Sequence, residues 1–177
     1  MAGRIAVVDA QNRFLRWEER RTIHVQRLVH RSIHVLVFDA ANRLVVQRRS
    51  PDKQTYPDVW DCSCAGHVEE SDYTGGPDDD LDGVYAAVAE RELEEELGLR
   101  VALTELGHFS PMTDIHYEEI RLYRAASDGP YILQPEEVAE VRRLTPSEWD
   151  AFEASGAKIT EVLSYFVGWL RERGQWT

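Results

Sequence analysis

Apolar and polar positions divide this chain into short strands with few helices. Residues 4–17, RIAVVDAQNRFLRW, read as two strands around a D-A-Q-N turn. IHVLVFDAANRLVVQRR carries the best hairpin signal, with strands from Ile33 to Phe38 and from Leu44 to Arg48 about a D-A-A-N-R turn. SPDKQTYPD, residues 50–58, has two prolines and reads as a loop. VWDCSCAGHV resumes as a strand that stops near Gly66. Within one extended segment Cys62 and Cys64 would share a face as half-buried core thiols. Residues 70–83, ESDYTGGPDDDLDG, are acidic, glycine-rich and without apolar period, and are expected to form an exposed, poorly ordered loop.

A helix is expected from Val84 to Leu97, with Asp82 as N-cap and Gly98 just past its end. Val84, Val88, Leu93 and Leu97 would be its apolar contacts. Strands recur around residues 101–109, 120–125, 131–133 and 138–144. TPSE, residues 145–148, is a capping box with proline at the first helical position. A last helix is expected from Ile159 to Arg173. Strands interleaved with few helices predict an α/β or α+β class with a mixed sheet.

Composition narrows the function. At 177 residues the chain is expected to be one domain, with 43% hydrophobic and 29% charged residues, as in soluble globular proteins. No apolar run approaches the length that spans a bilayer, so a cytoplasmic location without membrane attachment is expected. The net charge of −12 argues against nucleic acid as a partner. A small anionic substrate remains compatible, because local patches matter more than the total. Cations are nearly all arginine, whose planar fork suits phosphate and carboxylate; Lys53 and Lys158 are the only lysines. Two cysteines make no disulfide scaffold, and thiolate zinc sites usually draw on four ligands, which favours buried structural thiols here.

RELEEELGL, residues 91–99, changes the picture most. On a helix, Glu92, Glu95 and Glu96 fall at i, i+3 and i+4, on one face. Like charges at that spacing destabilise a helix by about 0.2–0.5 kcal/mol per pair, and they sit near its electronegative C-terminal end. A divalent cation would reverse both penalties, and hard oxygen ligands suit Mg²⁺ or Mn²⁺. A solvated acidic face is the plain alternative. The pattern R-E-Leu-x-E-E-x-G-Leu would arise by chance only about once in 10⁵ chains of this length.

Those residues resemble the second half of the box that defines the Nudix family, G-x5-E-x7-R-E-U-x-E-E-x-G-U, with U a bulky aliphatic. Gly66 stands as the opening glycine, and the acid at the fifth-residue spacing is Asp72 rather than glutamate. Eighteen residues then precede Arg91 where the box has seven, an excess of 11 that forms an acidic insertion at about 73–83. The stretch from His30 through Val68, and LQPEEVAEVRRLTPSEW at 133–149, are similar to the isopentenyl-diphosphate isomerase-like subgroup of bacterial and plant Nudix proteins.

The resemblance implies an α/β/α sandwich with a mixed sheet, the box forming a loop–helix–loop. It implies that Glu92, Glu95 and Glu96 ligate Mg²⁺, with Mn²⁺ as a substitute and the Gly66 carbonyl as a further ligand, and that Arg91 orients the carboxylates. Arg49 and Lys53 would grip a diphosphate, and the partner would be a small diphosphate substrate; the sequence is compatible with either a monomer or a homodimer. It also suggests a second metal site at His30, His67 and Glu119, with His24 one residue off the spacing of a third histidine and Glu118 beside it as the edge-strand alternative. The function expected is hydrolysis of a nucleoside-diphosphate-X type substrate. Isopentenyl-diphosphate isomerase is the runner-up, and a non-catalytic Nudix-fold binding module the third possibility. The isomerases place a cysteine immediately before the Gly–His pair; here that position is Ala65. In a strand, Cys64 would point to the opposite face.

Overall fold

The computed structural model of the protein describes residues 3–177. Its strands are β1 (Arg4–Val8), β2 (Phe14–Glu19), β3 (His30–Phe38), β4 (Leu44–Arg49), β5 (Trp60–Asp61), β6 (Cys64–His67), β7 (Leu103–Phe109), β8 (Glu118–Ala126) and β9 (Val138–Leu144). Its helices are α1 (Arg20–Gln26), α2 (Leu81–Leu97), α3 (Pro146–Ala154) and α4 (Glu161–Glu172).

All nine strands form one mixed sheet around β3. β3 runs parallel to β8 over its full length, from His30 opposite Glu118 to Phe38 opposite Ala126. It runs antiparallel to β6, with Ser32 opposite His67 and His34 opposite Ala65. Strand alternation then sorts its side chains. Leu36 and Phe38 join the core under α4, with Ile120, Leu122, Leu163 and Phe166. Ile33, Val35 and Val37 join the core under α2, with Val88, Leu93 and Tyr123. The Nudix α/β fold, a mixed sheet between helices, is therefore present as expected.

Several boundaries moved for local reasons. α2 starts at Leu81, capped by Asp80, whose carboxylate accepts from the Gly83 amide at 3.3 Å; Asp82 lies inside the helix. Gly98 ends it at φ 67°, as the sequence indicated, and a Cβ there would press on Ile132. Residues 131–133 are not a strand. The Ile132 amide bonds to the Leu97 carbonyl, so this segment packs across the end of α2 instead of entering the sheet. The capping box at Thr145 and Glu148 is formed in full. α1 was not foreseen. It has seven residues, no side-chain cap and one buried residue, Ile23, so it leaves no apolar period to read.

Cys62 and Cys64 are fully buried but on opposite faces, Cys62 under α4 and Cys64 under α2. The expectation of a shared face fails because β5 ends at Asp61 and β6 begins at Cys64, so no single strand carries both.

The acidic insertion is tied down rather than loose. Arg31 is wholly buried on the α2 face of β3. Its Nε donates to Asn12 Oδ1 at 2.8 Å, and its Nη atoms donate to the Asn12 carbonyl, the Tyr73 hydroxyl, the Pro77 carbonyl and Asp78. All five guanidinium N–H groups are thus used. Asp78 also accepts from the Phe14 amide, and Tyr73 packs edge-on to Trp17. One arginine thereby joins β3, the β1–β2 turn and the insertion.

Candidate active site

α2 lies against β6 where that strand has no side chain. A Cβ on Gly66 would fall on the Glu92 side chain, so any larger residue there would push the Glu92 carboxylate out of this position. Glu92 is mostly buried, and burial followed by the neighbouring Glu96 raises its carboxyl from 4.5 to about 7, against the opposing pull of Arg91. Glu96 is buried and accepts from Gln47 Nε2 at 2.8 Å. Burial raises its carboxyl too, while Gln47, Lys53 and Arg49 draw it back. Glu95 stands apart. It is half-exposed and faces Arg91 Nη1 at 3.3 Å. The three glutamates share a helix face, but as they stand only Glu92 and Glu96 converge inward.

Arg91 holds the set together. Its Nη1 is 2.9 Å from Glu92, and its Nη2 is 3.2 Å from Asp72. Asp72, the acid displaced by the insertion, therefore still meets the box arginine. It can do so because the 11 extra residues loop out after it and return to α2.

Arg49 and Lys53 lie at the same place, at the end of β4 and in the loop beyond. Arg49 is held by the Thr55 carbonyl and by Asp61 at 3.3 Å. Lys53 pairs with Glu137, and burial and Arg49 push its ammonium down to about 8. Both line a cavity of about 530 Å³, in the usual range for small-molecule sites, between the sheet and α4. Tyr117, a candidate recognition aromatic in the sequence along with Trp17 and Trp60, also lines it, as do Arg20, Arg27 and Tyr56, which spacing and charge did not single out. No residue of the insertion lines it, so the insertion does not lie at this mouth.

The cavity floor is a histidine–carboxylate cluster. Glu118 Oε1 lies 3.5 Å from His30 Nε2 and 3.9 Å from His67 Nε2. Its Oε2 accepts from Ser32 Oγ at 2.9 Å and lies 3.3 Å from His34 Nε2. Burial favours a neutral Glu118 carboxyl, but His30 and His34 outweigh it and hold the group well below the usual carboxylate range. The His30 and His67 rings stack at 4.9 Å, and His24 stands edge-on to His67 at 5.1 Å. Burial, with the charges of His30 and Arg20, keeps His67 neutral. His30, His67 and Glu118 present ligand atoms close enough to share one metal ion. His30 Nδ1 is 2.8 Å from the Leu28 carbonyl, which leaves Nε2 as its free nitrogen, and both His67 nitrogens are buried without a partner.

The acid of this cluster is Glu118, not Glu119. β8 pairs in parallel with β3, so Glu118 lies beside His30 and Glu119 beside Arg31. Glu119 consequently points to the α2 face, where Oε1 is buried without a partner. His24, set aside for its spacing, belongs to the cluster because α1 carries it there.

The chain belongs to the Nudix family: the NUDIX domain model matches residues 28–163. Several of its relatives are Nudix hydrolases of uncharacterized specificity. An uncharacterized Nudix hydrolase of Pseudomonas aeruginosa is 38% identical over 143 residues, 80% of this chain and 78% of that one. The isopentenyl-diphosphate delta-isomerase of Aspergillus fumigatus is 36% identical over 107 residues, 59% of this chain and 36% of that one. A crystal structure from Deinococcus radiodurans superposes with a TM-score of 0.71 at 22% identity, covering 89% of this chain and 92% of that one. The Nudix domain of Shewanella oneidensis NrtR, solved with ADP-ribose, gives 0.58 at 13% identity over 80% and 86%. No helix among the described residues is long and apolar enough to cross a membrane.

The raised Glu92 carboxyl carries a stability prediction for metal-free protein. A carboxyl whose folded value exceeds its unfolded one leaves stability intact below about pH 4.5 and erodes it as pH rises through about 7. The melting temperature of chelator-treated protein should therefore fall between those values, and Glu92→Gln should flatten the fall. Equal slopes in the two proteins would remove Glu92 from the account.

Proposed function

We propose that the protein is a divalent-metal-dependent diphosphohydrolase that cleaves the diphosphate linkage of a nucleoside-diphosphate-X type substrate. The carrying observation is the approach of buried Glu96 and mostly buried Glu92 to Lys53 and Arg49, the two cations that line the cavity. Two raised carboxyls facing two cations are costly to maintain for structure alone and suit a site that takes up Mg²⁺ and phosphate. Glu92, Glu95 and Glu96 would hold the ion together with the Gly66 carbonyl, Glu95 swinging in from Arg91. Mg²⁺ or Mn²⁺ bound there supplies charge neutralisation on phosphate and a bound water of lowered pKa. Arg91 keeps Glu92 and Glu95 oriented. Arg49 and Lys53 bind phosphate oxygens, and Glu96, the most buried carboxylate, is the best placed proton acceptor. His30, His67 and Glu118 would hold a second ion, with His24 as the further imidazole. The whole chain acts as one such unit.

A turnover screen with Mg²⁺ over nucleotide sugars, dinucleoside polyphosphates, CoA, ADP-ribose and prenyl diphosphates tests this. Metal-dependent release of phosphate or monophosphate from at least one is expected. Tight binding across the panel with no turnover would favour the binding module instead.

The histidine cluster and the Aspergillus likeness keep the isomerase reading in view. Against it, Ala65 lines the cavity beside Gly66 and His67, and a methyl group moves no proton. Cys64 is buried on the other face, under α2. Incubation with isopentenyl diphosphate is expected to yield no dimethylallyl diphosphate. Clear isomer formation by the unmodified protein would replace the hydrolase reading.

A further inference from the structure

Deeper in the same wall of the cavity is a group of side chains that the proposed hydrolysis does not use. A His34 ring nitrogen, an Asp61 carboxylate oxygen and Cys62 Sγ lie within 4.8 Å of one another. All three residues are buried, at 5%, 5% and 0% exposure. We propose that His34, Asp61 and Cys62 form a binding site for a borderline-soft divalent cation of the Zn²⁺ or Co²⁺ type, distinct from the oxygen-ligand site on α2.

Three features carry the site. The first is His34. Its Nε2 lies 3.3 Å from Glu118 Oε2, an acceptor, so Nε2 carries the proton and Nδ1 keeps its lone pair. Nδ1 is buried and has no partner. A histidine that donates one ring N–H to a carboxylate while the other nitrogen stays bare is the arrangement that orients metal-bound imidazoles. The second is the rigidity of Asp61. Its Oδ1 accepts from the Cys62 amide at 2.8 Å and from Thr160 Oγ1 at 2.9 Å, so the carboxylate is fixed before any ion arrives. The third is access. His34 and Asp61 both line the cavity, which gives an ion an entry path.

The donor set selects the metal. One nitrogen, one oxygen and one sulfur fit tetrahedral Zn²⁺ or Co²⁺ and fit poorly the octahedral, oxygen-seeking Mg²⁺. Arg49, 3.3 Å from Asp61 Oδ2, opposes a second positive charge. The Asp61 carboxylate and a Cys62 thiolate together bring two negative charges, and the thiol proton leaves as the cation binds.

The test needs no substrate, so its failure is separable from that of the hydrolase reading. Chelator-stripped full-length protein is titrated with Co²⁺ and read by its thiolate-to-cobalt charge-transfer absorption. One equivalent is expected to develop that band in wild type and in Cys64→Ser, and not in Cys62→Ser. The His30–His67–Glu118 cluster has no sulfur and cannot produce it. A second measurement covers a Cys62→Ser protein that fails to fold: X-ray absorption of zinc-loaded wild type should show one sulfur at about 2.3 Å. Zinc or cobalt bound by nitrogen and oxygen alone, or a band that survives in folded Cys62→Ser, would overturn the site.

Discussion

Glu96→Gln is expected to lower kcat by about 10²–10⁴-fold, the span of a lost proton-transfer group, while leaving the melting temperature unchanged or higher. Glutamine keeps an oxygen to accept from Gln47 Nε2, so the buried contact survives. It removes the charge, whose burial raises the Glu96 carboxyl and which the folded state therefore disfavours at neutral pH. Activity and stability should thus move in opposite senses, which simple misfolding cannot produce. Steady-state kinetics with saturating Mg²⁺ and a thermal melt of the same preparation decide it. Wild-type turnover in the variant would end the assignment of Glu96.

Arg31→Ala should do the reverse. Removing it abandons the Asn12, Tyr73, Pro77 and Asp78 partners around a wholly buried site. Asp78, the charge left behind, is 48% exposed, so the loss is chiefly that of the guanidinium's hydrogen bonds, about 3 kcal/mol. For a chain of this size that is a fall in melting temperature on the order of 10 °C. Because neither Arg31 nor its partners Asn12, Tyr73, Pro77 and Asp78 line the cavity, kcat and KM should stay within about twofold below the melt. A kinetic change without a loss of stability would place the insertion at the site after all.

What was legible in the sequence follows from how far each feature depends on distant residues. RELEEELGL needs only its own helix, and Arg91, Glu92 and Gly98 stand as local rules place them. The capping box at Thr145 is equally self-contained. The choice between Glu118 and Glu119 is not, because the two are neighbours on one strand and only the parallel register of β8 on β3 decides which meets His30. The two cysteines depend on a strand break that no residue between them announces. The insertion misled only as to order: its four aspartates are exposed, as their composition suggests, yet a lone arginine inside the strand HRSIHVLVF was a signal that something acidic must cover it. His24 reaches the cluster through a helix too short to show a period.

The closeness of Glu92, Glu96, Arg49 and Lys53 has a consequence for kinetics. Lys53 at about 8 and Glu92 at about 7 each owe part of their shift to other members of the group. Groups that interact this strongly release protons in macroscopic steps that belong to the ensemble. A bell-shaped pH–rate curve would therefore report apparent constants with no single owner. A substitution at any of the four would move both limbs at once, and a displaced limb would not by itself identify the base.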